Sequence, residues 1–124
     1  MTQVNIGQLR DIAEVEFSDI VSEAISPDIN ELRIILHDGS FVDVWFSLKL
    51  LGRYSYHWER RAIDGTIYRH DNAPHQHWSR VGTFPSHFHD GGEIKVVESR
   101  ISAHPPQALR EFLSFVREKM NRGK

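Results

Sequence analysis

The chain has 124 residues, 40% hydrophobic and 26% charged, with a net charge of -2, a composition that fits a single domain over residues 1–124 able to bury its own core. It contains no cysteine, which excludes disulfides, thiolate metal sites and cysteine nucleophiles. No apolar run approaches the roughly 18 residues of a membrane span; the first residues lack a basic-then-apolar leader pattern, and a cytoplasmic location is expected.

In chain order, Ile6, Leu9, Ile12 and Ala13 are spaced for one face of a short amphipathic helix over residues 4–15. The stretch to Ile25 is ambiguous between helix and strand, and Ser26-Pro27-Asp28 breaks the chain. Residues 31–37 and 41–48 are rich in β-branched and aromatic side chains and are joined by Asp38-Gly39. Residues 53–61 and 66–71 are joined in the same way by Asp64-Gly65. Asp-Gly between such runs favours a two-residue turn with positive φ at both positions, so two hairpins and a four-stranded meander are predicted. Residues 93–101 read as a fifth strand. His104-Pro105-Pro106 then opens a helix, in which Leu109, Phe112, Leu113, Val116 and Met120 form an apolar stripe suited to core packing. The predicted fold class is α+β: an antiparallel meander sheet of four to five strands flanked by an N-terminal and a C-terminal helix.

Charge is unevenly spread. Up to residue 30, Arg10 is the single cation among six acidic residues, whereas residues 49–80 carry Lys49, Arg53, Arg60, Arg61, Arg69 and Arg80 against three acids. The C-terminal helix is basic again. The net acidity argues against a general nucleic-acid coat, but the basic middle can meet phosphates locally. A solvated face of mixed charge accounts for the same pattern, and both basic regions suit an acidic partner segment.

Five of the eight histidines, His70, His75, His77, His87 and His89, fall within residues 69–89 together with Asp71 and Asn72. Histidine is the side chain most able to exchange a proton near neutral pH, and it ligates metals when neutral. Strand alternation adds the preceding segment. A two-residue turn at Asp64-Gly65 places His57, Glu59, Arg61, Tyr68, His70 and Asn72 on one surface. A bulged turn instead brings Arg69 and Asp71 to His57 and Glu59.

Two His-x-His pairs, His75-Gln76-His77 and His87-Phe88-His89, leave a catalytic metal site open as a reading, although the spacing names no metal family. Cofactor-free proton transfer asks less of the sequence. RNA cleavage needs a base for the 2′-hydroxyl, an acid for the leaving oxygen and a cation for the phosphate. His57, His75, His87 and His89 are the candidate acids and bases, and Asp71 is a candidate orienting group. Arg60 and Arg69 are candidate phosphate ligands, with Tyr56 a base-stacking platform and Asn72 a further substrate contact. Tyr54, Tyr56 and Trp58 equally fit one core face of the sheet, and Asn72 fits a turn cap. No metal and no cofactor are expected.

The order Tyr-Ser-Tyr-His-Trp (54–58), Asp64-Gly65, Arg-His-Asp-Asn-Ala-Pro-His (69–75) and Thr-Phe-Pro-Ser-His-Phe-His (83–89) resembles the TumE family. That family consists of small toxin partners in bacterial and archaeal toxin–antitoxin pairs. The chain departs from its pattern at Gln76, where many members carry a second histidine. The resemblance implies a growth-inhibiting toxin neutralised by a co-encoded antitoxin, often a helix-turn-helix DNA-binding protein. By analogy with other small toxins it implies a metal-independent endoribonuclease or another protein that blocks translation through RNA or the ribosome. A toxin that inhibits its target by binding alone and a metal-dependent hydrolase with a histidine-rich site are the alternatives. Assembly into a homo-oligomer stays open.

Overall fold

Alternation of apolar and polar residues builds the sheet. Leu32, Ile34 and Leu36 are buried between half-exposed Glu31, Arg33 and Ile35, and Val42, Val44 and Phe46 repeat the pattern on the next strand. The structure, a computed structural model, describes residues 4–74 and 80–122. It contains seven strands: β1 Val21–Asp28, β2 Glu31–Leu36, β3 Phe41–Phe46, β4 Tyr54–Arg60, β5 Thr66–Asp71, β6 His87–Asp90 and β7 Val96–Glu98. They pair in sequence order, each neighbour antiparallel. The helices are α1 Ile6–Asp11, which runs into a π-helical turn Ile12–Glu16, the single turn α2 Arg61–Asp64, and α3 Pro105–Arg122. None of the described helices is long and apolar enough to cross a membrane.

The α+β class and the meander agree with the sequence reading, but the sheet has seven strands where four to five were expected. The ambiguous stretch before Pro27 is β1, an edge strand whose register shifts twice against β2. Its burial does not follow the two-residue period, because only Val21 and Ala24 turn inward. Pro27 is tolerated because an edge strand leaves one row of N–H groups without a ladder partner. The histidine segment contributes β6, and the expected strand over residues 93–101 shrinks to the three residues of β7.

Both Asp-Gly turns differ from the two-residue form. Ser40 closes the first hairpin, with the Leu36 N–H donating to its carbonyl at 3.0 Å and the Gly39 N–H donating to the Leu36 carbonyl at 3.1 Å. The loop therefore has three residues, and only glycines among the described residues take positive φ, Gly39 at 90°. In the second hairpin α2 is a helical turn ended by Gly65 in the left-handed conformation at φ 80°. Tyr68 consequently faces Trp58 and not Arg61. A register displaced by three, an odd number, exchanges the two faces of β5.

One face of the sheet is the core. Tyr54, Tyr56 and Trp58 of β4 pack with Tyr68 and Phe88 under α3, whose Leu109, Phe112, Leu113 and Val116 are fully buried. Aromatic rings join the layers, with Tyr56 to Phe112 at 6.1 Å and Tyr68 to Phe115 at 5.3 Å between centroids. The uneven charge finds an internal use. Arg110 pairs with Glu16 at 2.9 Å and Arg117 with Asp19 at 2.7 Å, so the acidic N-terminal segment is clasped to the basic C-terminal helix.

Candidate functional site

The face of the sheet opposite α3 gathers the polar side chains of its centre. His57 lies across from Arg69, and Arg69 across from His89, while Asp71 faces His87. Alternation then sets His57 and Glu59 of β4, Arg69 and Asp71 of β5, and His87 and His89 of β6 on one surface. Of the two surfaces left open by the sequence, the helical turn selects the one that holds Arg69 and Asp71.

Arg69 is the hub. Its NH1 donates to His57 Nδ1 at 3.2 Å and its Nε to Asp71 Oδ2 at 3.1 Å. Its NH2 lies 2.8 Å from Glu93 Oε1 and 3.4 Å from His89 Nε2. His57 donates from Nε2 to Glu59 Oε1 at 3.1 Å, which leaves its Nδ1 lone pair toward the guanidinium. Glu59 is held down at about 2 by Arg61, whose side chain is the main cause and outweighs the opposing effect of burial; the Arg61 backbone N–H and His57 add to it. It is therefore a fixed anion beside His57.

The inner end of the network is dry. His87 is fully buried, and the side chains of His89 and Asp71 are 6% and 9% exposed. His87 Nδ1 lies 2.9 Å from the Pro85 carbonyl, and His89 Nδ1 lies 2.9 Å from the Glu93 carbonyl. A carbonyl only accepts, so each Nδ1 carries the hydrogen and each Nε2 turns toward Asp71, at 3.1 Å from Oδ1 and 3.5 Å from Oδ2 respectively. Burial by itself pushes the Asp71 carboxyl up, but the side chains of His89 and His87, the Ala73 N–H and Arg69 together hold it below its ordinary value. Asp71 stays a carboxylate, and with the two imidazoles it offers three donor atoms within 4.8 Å of one another.

Five of the predicted residues therefore converge: His57, Arg69, Asp71, His87 and His89. Three do not. Arg60 is turned to the end of β4, bound to Asp38 at 2.6 Å and Asp64 at 3.0 Å and laid over the Trp58 ring. Tyr56 is fully buried on the core face, out of reach of a base. Asn72 is a structural tie: its Oδ1 accepts from the Tyr54 N–H at 2.9 Å and its Nδ2 donates to the Gly52 carbonyl at 2.8 Å. His75, like His77 of the same pair, lies outside the described residues.

His70 is also separated from the site. It points into the core, where Nδ1 accepts from the Ser99 hydroxyl at 2.6 Å and Nε2 donates to the Ser102 carbonyl at 3.3 Å. Burial lowers its pKa to about 4, so it is a neutral packing residue. Glu93 was missed by sequence reasoning. It lies in the turn between β6 and β7, and no spacing or motif connects it to Arg69 before the sheet is assembled.

No curated protein and no solved structure matches the chain. A family model described as Toxin TumE matches residues 7–120, nearly the whole chain and all of the network just described, and the chain belongs to that toxin family.

Proposed function

We propose that this toxin acts on RNA as an endoribonuclease, with the face around Arg69 as its active site. The observation that carries the reading is the placement of one guanidinium between two histidines, His57 at 3.2 Å and His89 at 3.4 Å, each beside its own carboxylate. Phosphodiester cleavage asks for that set: a base, a cation for the phosphate and a second centre for the leaving group.

His57 and Arg69 form the more open end, their side chains 16% and 22% exposed. A phosphate oxygen arriving at Arg69 competes for the N–H now donated to His57 and uncovers the Nδ1 lone pair. Nδ1 then takes the proton of the 2′-hydroxyl, its 2′ oxygen forms a bond to phosphorus, and the bond from phosphorus to the 5′ oxygen breaks. Glu59 fixes the ring and balances the charge that His57 acquires. The end formed by Asp71, His87 and His89 faces the departing 5′ oxygen, which takes its proton from a solvent water, and the hydroxide left behind is neutralised by the proton that His57 then releases. The products are a 2′,3′-cyclic phosphate and a 5′-hydroxyl end.

Membership in a toxin family implies an antitoxin, for which a co-encoded helix-turn-helix DNA-binding protein is our proposal. Action on RNA in the cytoplasm is part of the same proposal. Inducing the chain without its antitoxin and mapping RNA ends tests the reading. New 5′-hydroxyl ends that disappear in His57→Ala support it. Growth arrest with all RNA intact overturns it in favour of inhibition by binding.

A further inference from the structure

We infer that Asp71, His87 and His89 form a two-histidine, one-carboxylate site for a divalent first-row transition metal ion. Three features of the structure point there together. First, both imidazoles spend Nδ1–H on backbone carbonyls, those of Pro85 and Glu93. This is the outer-shell arrangement that fixes the tautomer of a metal-ligating histidine and aims its other nitrogen at the ion.

Second, the spacing suits an ion. Ligand atoms bound at about 2.1 Å stand about 3.0 Å apart in octahedral and about 3.4 Å apart in tetrahedral geometry. The two Nε2 atoms lie 3.1 and 3.5 Å from the oxygens of Asp71, and all three donors fit within 4.8 Å. The carboxylate is aimed as well, because the Ala73 N–H donates to Oδ1 at 3.0 Å and Arg69 Nε to Oδ2 at 3.1 Å.

Third, the donors sit on paired strands, so the backbone ladder between β5 and β6 sets their separation before any ion arrives. On metal binding, Arg69 NH2 gives up its 3.4 Å contact to His89 Nε2 and keeps Glu93 at 2.8 Å. Imidazole and carboxylate donors select zinc, manganese, iron, cobalt or nickel over calcium and magnesium.

The site deepens the RNA-cleaving reading, since the ion supplies the positive centre opposite His57, and this departs from the metal-independent chemistry expected of the sequence. The test is direct titration of the full chain after chelator dialysis, with Zn²⁺, Mn²⁺ and Co²⁺ as separate probes, read by calorimetry and by the visible absorption of Co²⁺. One equivalent is expected to bind. Asp71→Asn, His87→Gln and His89→Gln should each lose more than the roughly 10- to 100-fold that outer-shell changes cost, while His57→Gln retains affinity.

Absence of stoichiometric binding by the folded wild-type chain overturns the site, as does undiminished binding in the three ligand variants. The wild-type titration decides the matter even where a variant does not fold. Stoichiometric binding without RNA cleavage leaves the metal site standing and removes the ribonuclease reading. Full RNA cleavage by a chain that binds none of the three ions does the reverse.

Discussion

Replacing His70 with glutamine separates the core histidine from those of the site. His70 is wholly buried, its rings nearest Tyr54 at 4.8 Å and Tyr56 at 5.6 Å. Its ordinary pKa of 6.5 falls to about 4, chiefly through burial, with the Ser102 carbonyl and Asp71 opposing. A base whose folded pKa is depressed stabilises the fold fully above 6.5. That contribution shrinks as pH falls, because the unfolded chain takes up the proton first. Linkage over this gap amounts to about 2 kcal/mol lost between pH 8 and pH 5, and about 3 kcal/mol by the time the folded pKa is passed. Glutamine keeps a donor and an acceptor for Ser102 and Ser99 but does not titrate. Urea unfolding of wild type and His70→Gln at pH 8, 7, 6 and 5 should therefore show a wild-type advantage that narrows by about 2 kcal/mol toward pH 5. Parallel stability curves would refute the assignment of His70 as a buried neutral residue. RNA cleavage at pH 7.5 should survive the substitution.

Other predictions follow from the two faces of the sheet. The Tyr56 hydroxyl is buried without a hydrogen-bond partner among the described residues, so Tyr56→Phe should match or exceed wild-type thermal stability and leave RNA cleavage intact; loss of cleavage in a folded variant would return Tyr56 to the substrate. Phe112 is fully buried among Tyr56, Phe88 and Phe115, and Phe112→Ala should lower unfolding free energy by about 3–5 kcal/mol in chemical denaturation. Asn72→Ala removes the acceptor for the Tyr54 N–H and the donor to Gly52, and should cost about 1–3 kcal/mol without changing which RNA ends appear. Arg60→Gln should keep the cleavage activity of wild type, since its partners are Asp38 and Asp64; a variant that folds but no longer cleaves would put Arg60 back at the phosphate.

What the sequence reveals follows the range of the interactions involved. The α3 stripe from Leu109 to Val116 and the alternation in β2 to β4 are local periodicities, and they yield the helix, the central hairpins and the core face holding Tyr54, Tyr56 and Trp58. β1 stays ambiguous and β7 is read too long because edge and terminal strands bury few side chains, and β6 escapes because its histidines look like loop chemistry. The turn after β4 matters most. Asp64-Gly65 marks a turn, yet whether Gly65 ends a two-residue turn or a helical one depends on which β5 face the assembled sheet can bury. Tyr68 and His70 fit under α3, and Arg69 and Asp71 do not. That packing choice moves His70 out of the site and brings Asp71 into it. Glu93 becomes a partner of Arg69 only once β6 has paired with β5.

RNA cleavage by Arg69 and the histidines on either side of it is open to end mapping on purified components. Wild-type protein, Arg69→Gln and His57→Ala are each incubated with total RNA, and the 5′ ends are sequenced. Discrete 5′-hydroxyl ends are expected with wild type, a loss of at least about 100-fold in both variants, in line with the removal of a general base or a charge-stabilising donor, and full retention in His70→Gln. Identical end profiles in wild type and in folded Arg69→Gln would contradict it.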